Sequence, residues 1–74
     1  MITKPTSGTA RQRILDAAAT LFARRGYYNA NVDEIIEQSR TSKGSFYFHF
    51  PSKERMAIGL AKQLADKLIH RVEE

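Results

Sequence analysis

The chain has 74 residues, room for one domain, and a domain of that size buries only about 60% of the surface that its unfolded chain exposes. It contains no cysteine, which excludes a disulfide-stapled secreted scaffold and a zinc finger with thiolate ligands and favours a reducing, cytoplasmic setting. Twelve lysines and arginines outnumber eight acidic residues to give a net charge of +4, and no apolar stretch approaches the roughly 20 residues that a membrane span needs.

The positive charge lies in two blocks. Residues 1–31 carry +4 and residues 40–55 carry +3, whereas residues 32–39 carry −3 and residues 56–74 are neutral. Two basic blocks are what a surface that binds a polyanion needs. Small basic domains are common, however, so charge alone leaves nucleic-acid binding undecided.

The first predicted helix follows a polar arm. Residues 1–8 offer almost nothing to bury and are expected to form a flexible arm. Thr9 and Gln12 have the spacing of a capping box, and Gly26 is expected to end the helix after Arg25 in a left-handed conformation. Tyr27 can then fold back onto Phe22. The apolar residues at helical spacing are Ile14, Leu15, Ala18, Leu21 and Phe22.

A second helix of about two turns is predicted after Asn31. Asn31 is a favourable N-cap, and Asp33 and Glu34 follow in the first turn, where acidic side chains interact favourably with the helix dipole. This placement explains the local negative charge without a metal or acid–base role. The apolar stripe of the helix consists of Val32, Ile35 and Ile36.

Two more helices are expected. The third, with Ser42 as N-cap, covers about Lys43–Phe50 and is closed by Pro51, because proline disfavours helix in the residue before it. Ser52 caps a fourth helix of about 22 residues, roughly 33 Å long, whose far end should protrude from a domain this small. Its apolar stripe comprises Met56, Ala57, Leu60, Ala61, Leu64, Leu68, Ile69 and Val72. The distal part of this stripe lacks a partner within the chain, so we expect a longer protein or pairing with a second copy.

The second and third helices, joined by about four residues, form a predicted helix-turn-helix over about residues 32–50. Phe46 and Phe50 are four residues apart and must share the side that faces the core. The side that faces outward then carries Gly44, Ser45 and Phe48, flanked by Tyr47 and His49. The small residues permit close approach to base edges, the flanking side chains can reach phosphates, and Lys43 can reach a guanine or a phosphate.

Further contacts can come from the ends of the helices. The free N–H groups that follow Ser42 can bind a phosphate, Lys53 extends the same positive edge, and Arg11 and Arg13 lie at the start of the first helix. Phe48 is open to two interpretations: contact with a thymine methyl group, or packing against the neighbouring helix. For Tyr28, core packing or partial exposure is favoured over base stacking.

The run from Thr41 to Glu54, TSKGSFYFHFPSKE, resembles the signature of the TetR family, and Arg25–Val32 is similar to the end of that family's first helix. The resemblance covers residues 9 to about 60. It implies that Tyr47, His49 and Lys53 contact mainly phosphates, and it also implies a second, larger helical domain, absent from this chain, that dimerises and binds a small effector. The family positions that touch DNA correspond to Ser42, Lys43, Gly44, Ser45, Tyr47, His49 and Lys53, whereas core positions correspond to Phe22, Ile35, Phe46 and Phe50.

The sequence departs from the family pattern at three positions. Ile36 and Arg40 stand where a small residue and the turn glycine are usual, and a positive φ at Arg40 would cost on the order of 1 kcal/mol. A phosphate contact by Arg40 would offset that cost. Thr41 replaces a residue that is often aliphatic, which removes one expected core contact.

These observations predict an all-α, four-helix helix-turn-helix domain of homeodomain-like type, with three short helices and one longer, over residues 9–74. The expected function is sequence-specific binding of palindromic double-stranded DNA by a bacterial, cytoplasmic, homodimeric regulator, an effector-responsive repressor. The alternative is a helical interaction module that uses the distal part of the last helix. No catalytic constellation, metal or cofactor is expected. The candidate DNA-binding residues are Arg11, Asn31, Arg40, Thr41, Ser42, Lys43, Gly44, Ser45, Tyr47, Phe48, His49 and Lys53.

Overall fold

A computed structural model describes the backbone of residues 9–73 and the side chains of residues 9–68. This part of the chain contains four helices, α1 (Ala10–Arg25), α2 (Val32–Ser39), α3 (Lys43–His49) and α4 (Lys53–Glu73), and no strand. The all-α class and the element order are as predicted. The arm proposed for residues 1–8 lies outside the described residues.

Four polar side chains fix the starts of the helices. Thr9, Asn31 and Ser42 accept hydrogen bonds from the backbone N–H of Gln12, Glu34 and Ser45, and Ser52 accepts one from the N–H of Arg55. Each bond satisfies one of the N–H groups that a helix start leaves without a partner. The predicted N-caps are confirmed.

The ends of α1 and α3 differ in detail from the prediction. Gly26 has a positive φ of 84°, but its ψ of 161° places it in an extended region rather than the left-handed helical one. That region is essentially open only to glycine. The helix α3 ends at His49, one residue early, and Phe50 is extended as the residue before a proline should be.

One core lies between the helices, and α1 is at its centre because it contacts α2, α3 and α4. Phe22 is only half-buried, and its ring lies 5.3 Å from that of Tyr27, which confirms the predicted fold-back. The core is formed by Ile14, Leu15, Ala17, Ala18, Leu21, Ala30, Ile35, Phe46, Phe50, Met56 and Leu60. Phe46 and Phe50 place one side of α3 against this core, and Phe48 on the other side of the helix is exposed.

Candidate nucleic-acid interface

The helix α3 is held to the core by two phenylalanines. Phe46 is fully buried and Phe50 is 4% exposed, and their ring centroids lie 6.2 Å apart. Two anchors one turn apart fix the rotation of a short helix about its own axis. The prediction that both phenylalanines face the core is confirmed, and of the residues predicted to face outward Phe48 is exposed whereas Ser45 is half-buried.

The outward side of α3 combines a gap with a large ring. A Cβ added at Gly44 would meet only the Ser42 hydroxyl, at 4.0 Å, so open space lies beyond the backbone here. Phe48, four residues later, is 83% exposed. Lys43 is exposed at the start of the helix, whereas Ser45 is half-buried. A DNA groove could approach the α3 backbone closely at Gly44, with the Lys43 cation at the start of the helix and the Phe48 ring near its end.

Tyr47 and His49 flank that side. The Tyr47 ring packs edge-on against Phe46 at 5.0 Å and remains 43% exposed. His49 is half-buried, with ring centroids 5.1 Å from Phe48 and 6.4 Å from Phe50. Both side chains are thus supported by α3 itself and held in place on the two flanks.

Lys53 is more constrained than its place in the sequence suggested. Its Nζ donates a hydrogen bond to the backbone oxygen of Tyr27 at 2.6 Å and lies 4.4 Å from the centre of the Tyr27 ring. The ammonium group therefore ties the start of α4 to the turn after α1. Two of its three N–H donors remain for a phosphate, so the predicted phosphate contact stays a prediction.

The two arginines of α1 have different surroundings. Arg11 is exposed, and its guanidinium carbon lies 5.3 Å from the centre of the Phe50 ring. Arg13 is half-buried and donates from Nε to the backbone oxygen of Ser39 at 3.1 Å. Arg11 is thus available at the surface near α3, whereas Arg13 holds α1 against the end of α2.

The turn between α2 and α3 is closed by a hydrogen-bonded helix end. Arg40 adopts the left-handed conformation, with φ 60° and ψ 41°. Its N–H and that of Thr41 donate to the oxygens of Glu37 and Ile36, the arrangement of a Schellman motif. The Thr41 hydroxyl lies 2.8 Å from that of the buried Ser39, so a hydrogen bond replaces the expected aliphatic contact.

Asn31, the last of the candidate DNA-binding residues, lies at the start of α2 together with the acidic Asp33 and Glu34. Asn31 is exposed, and its Oδ1 is occupied by the cap. Glu34 pairs with Arg25 across the turn between α1 and α2. This hydrogen bond, with a smaller contribution from the backbone N–H of Asn31, holds the pKa of the Glu34 carboxyl below its ordinary value, although desolvation raises it. The pair was not foreseen from the sequence, but it gives the carboxylate the structural role that was expected.

The distal half of α4 is unpartnered as far as the side chains are described. Residues 64–68 are all exposed, with Leu64 at 51% and Leu68 at 62%. Ile58, 51% exposed, adds an apolar residue nearer the start of the helix that was not foreseen as exposed. The predicted lack of a partner is therefore confirmed for Leu64 and Leu68, which we call the leucine face; Val72 lies outside the described side chains.

Metal sites and membrane-spanning helices are both absent from the described part of the chain. Within it, no three side chains of His, Cys, Asp or Glu come together in a way that could hold a metal ion. Nor does any helix there have the length and apolar character required to cross a membrane.

The sequence that forms α2, the turn and α3 is similar to that of known proteins. Residues 14–60 match the sequence profile of the bacterial regulatory proteins of the tetR family. The chain belongs to the TetR family. The matched segment is that family's N-terminal DNA-binding domain. It contains the N-caps of α2, α3 and α4, the turn between α2 and α3, the whole of α3 and the start of α4; the N-cap of α1 lies before it.

Relatives of this TetR-type domain are named as transcriptional regulators. The chain is 38% identical over 66 residues to the HTH-type transcriptional regulator LmrA of Bacillus subtilis, an alignment that covers 88% of this chain and 35% of the relative. It is 37% identical over 71 residues to the HTH-type transcriptional repressor AcnR of Corynebacterium glutamicum, with 96% and 37% covered. The chain thus spans about a third of the length of these relatives. No solved structure matches it.

Proposed function

We propose that α3 of this TetR-type domain enters the major groove of duplex DNA and gives the domain its sequence specificity. The outward side of α3 approaches base edges, with Lys43 at its front, and Tyr47 and His49 contact the phosphates on either side. The further contacts to the DNA backbone come from residues on the elements around α3, namely Arg11, Asn31, Arg40, Thr41, Ser42 and Lys53. The observation that carries the proposal is the open space beyond Gly44 on a helix whose opposite side is buried.

The complete regulator, in this proposal, binds as a homodimer to a palindromic operator in the bacterial cytoplasm. Two copies read half-sites about one helical turn apart, 34 to 36 Å, or a multiple of it. A further domain dimerises and binds a small effector, and the regulator acts as a repressor. The name of the related AcnR, a repressor, and the relatives' greater length support this part of the proposal.

A salt titration of DNA binding tests the proposal. Duplexes that the 74-residue chain retains from a random pool serve as the ligand, and affinity is measured against salt concentration. With roughly four to six phosphate contacts in each subunit, log K should fall with log salt by about 0.9 for each contact. A flat line would reject binding through the phosphate backbone.

Two lysine variants make the titration specific to α3. Lys43→Gln removes a cation at the start of α3 and should reduce the slope by about 1. Lys62→Gln removes one from an exposed position of α4, past the end of the matched residues 14–60, and should leave the slope unchanged. Equal effects of the two substitutions would mean that general basicity, and not the α3 surface, binds DNA.

A second function is favoured by the exposure of Leu64 and Leu68. These side chains could join two copies of the chain along α4. The two functions are compatible, because the leucine face and the outward side of α3 belong to different helices.

A further inference from the structure

Phe48 is the large apolar side chain that the domain leaves at the centre of its proposed DNA-binding surface. It is 83% exposed, although Phe46 and Phe50 on either side of it are buried. Its ring touches His49 edge-on at 5.1 Å. Packing against a neighbouring helix, one of the two roles considered for it, would have buried the ring and is excluded by this exposure.

The position of Phe48 limits what can cover its ring. Phe48 lies four residues after Gly44, on the same outward side of α3, and a ligand that enters the open space at Gly44 meets the ring next. This inference therefore rests on the proposed function, in which that ligand is the major groove. Burial of an exposed ring lowers the free energy most where the groove offers an apolar group to cover it.

The major groove presents one apolar group among its hydrogen-bonding atoms, the C5-methyl group of thymine. We propose that Phe48 reads a thymine in each half-site by contact with that methyl group. The contact distinguishes T·A from the other three base pairs and needs no hydrogen bond. Four residues of α3 rise about 6 Å, so the thymine lies within about two base steps of the bases that approach Gly44.

Replacing thymine by uracil isolates the contact, because uracil lacks only the methyl group. The 74-residue chain is used to select duplexes from a pool with a random core of about 20 base pairs, long enough for two half-sites. Each thymine of the selected half-site is then replaced singly by uracil, and dissociation constants are measured by fluorescence anisotropy. We expect one position in each half-site at which uracil weakens binding by about fourfold, the factor that corresponds to burying one methyl group.

Substitution of Phe48 assigns the effect to this ring. Phe48→Ala should weaken binding to the thymine duplex and bring the ratio of dissociation constants for uracil and thymine close to one at that position. Tyr28→Ala removes an equally prominent ring, 92% exposed, from the turn after α1 and should leave the ratio unchanged. Because both side chains are exposed, circular dichroism should show that both variants retain the helical fold.

The outcomes separate this inference from the proposed function. A chain that binds selected duplexes but shows no thymine-to-uracil difference overturns the role of Phe48 and leaves DNA binding by α3 intact. A difference that persists unchanged in Phe48→Ala means that another side chain reads the methyl group and likewise overturns the inference. If the unmodified chain retains no duplex from the pool, both proposals are wrong.

Discussion

Arg40 adopts a left-handed backbone conformation that arginine disfavours, because hydrogen bonds of the neighbouring residues fix the turn. A side chain in the left-handed conformation costs roughly 1–2 kcal/mol. Here the helix-end bonds from Arg40 and Thr41 and the Arg13 bond to the Ser39 oxygen hold the turn closed. The sequence identified the cost, since arginine stands where the turn favours glycine, but it could not show that these bonds keep the usual turn shape.

Arg40→Gly should raise the free energy of unfolding by about 1 kcal/mol, because glycine adopts the positive φ without steric strain. Arg40→Ala is the matched control, since it removes the charge but keeps the strain. Urea denaturation measures both. If Arg40 also contacts a phosphate, the two variants should lose DNA affinity equally while only the glycine variant gains stability. Equal stabilities would show that the turn carries no strain at this residue.

Glu34 makes the stability of the domain depend on acid pH. Its pKa is lowered mainly by the hydrogen bond from Arg25, so the ionised carboxylate stabilises the folded state above the pKa of an unfolded glutamate, about 4.3. That contribution is lost as the pH falls through the lowered pKa. Carbon-detected NMR of the Glu34 carboxyl should therefore give a titration midpoint below that of a glutamate in an unfolded chain.

Glu34→Gln should correspondingly flatten the acid side of the stability curve, so that the variant and the unmodified chain converge as Glu34 becomes protonated. Glu54→Gln is the control for removing a first-turn glutamate from another helix. A midpoint at or above the unfolded value would contradict the stabilising role of the Arg25 pair.

At the scale of the elements, the helices were predictable because their limits are set by local chemistry. Each N-cap bond joins residues only three positions apart, as between Ser42 and Ser45, and the proline at residue 51 ends α3 through its immediate neighbour. Such interactions can be read from a short window. The rotation of α3 followed in the same way from the spacing of its two buried phenylalanines.

Contacts between elements were not predictable in this way. The bonds from Arg13 to Ser39 and from Lys53 to Tyr27 each join residues 26 positions apart. From the sequence, Arg13 and Lys53 were expected to contact phosphates. The sequence could not exclude these protein partners, because an arginine or lysine side chain is long enough to reach either a phosphate or a backbone oxygen of another element. The exposure of Phe48 was undecidable for a similar reason, because it depends on where the neighbouring helix lies.

Gly44→Ala should separate folding from binding within α3. The added methyl group meets open space, so the better helix propensity of alanine should stabilise the domain by roughly 0.5–1 kcal/mol. The same methyl group stands between α3 and the groove and should weaken DNA binding. Thermal unfolding and anisotropy with the selected duplexes measure the two effects.

Gly59→Ala is the matched control. Its Cβ would lie 3.2 Å from Cε1 of the buried Phe50 ring, so crowding opposes the gain in helix propensity and the variant should be less stable than Gly44→Ala. If Gly44→Ala bound DNA as tightly as the unmodified chain, the groove would not approach α3 closely at this residue.

For the whole molecule, the family match and the leucine face concern different parts of the chain. The matched residues end at 60, where α4 still contributes the buried Leu60 to the core, and the exposed leucines begin beyond it. The first half of α4 therefore belongs to the helix-turn-helix domain, whereas beyond it the described residues 64–68 present exposed side chains, two leucines among them. Sequence periodicity identified this stripe but could not say which of its members are covered, because a helical pattern is the same in both cases.

The two candidate functions can be separated by a charge placed in the leucine face. Leu68→Lys should abolish concentration-dependent self-association of the 74-residue chain in sedimentation velocity, because an ammonium group cannot be buried between apolar side chains without a partner. It should leave affinity for a duplex with a single half-site unchanged, since α3 and the elements around it make those contacts and the leucine face makes none. Asp66→Lys adds a lysine on the other side of the helix and should preserve self-association. Loss of half-site binding in Leu68→Lys would show that recognition needs the paired form, and an unmodified chain that stays monomeric at every concentration would rule out self-pairing through this face.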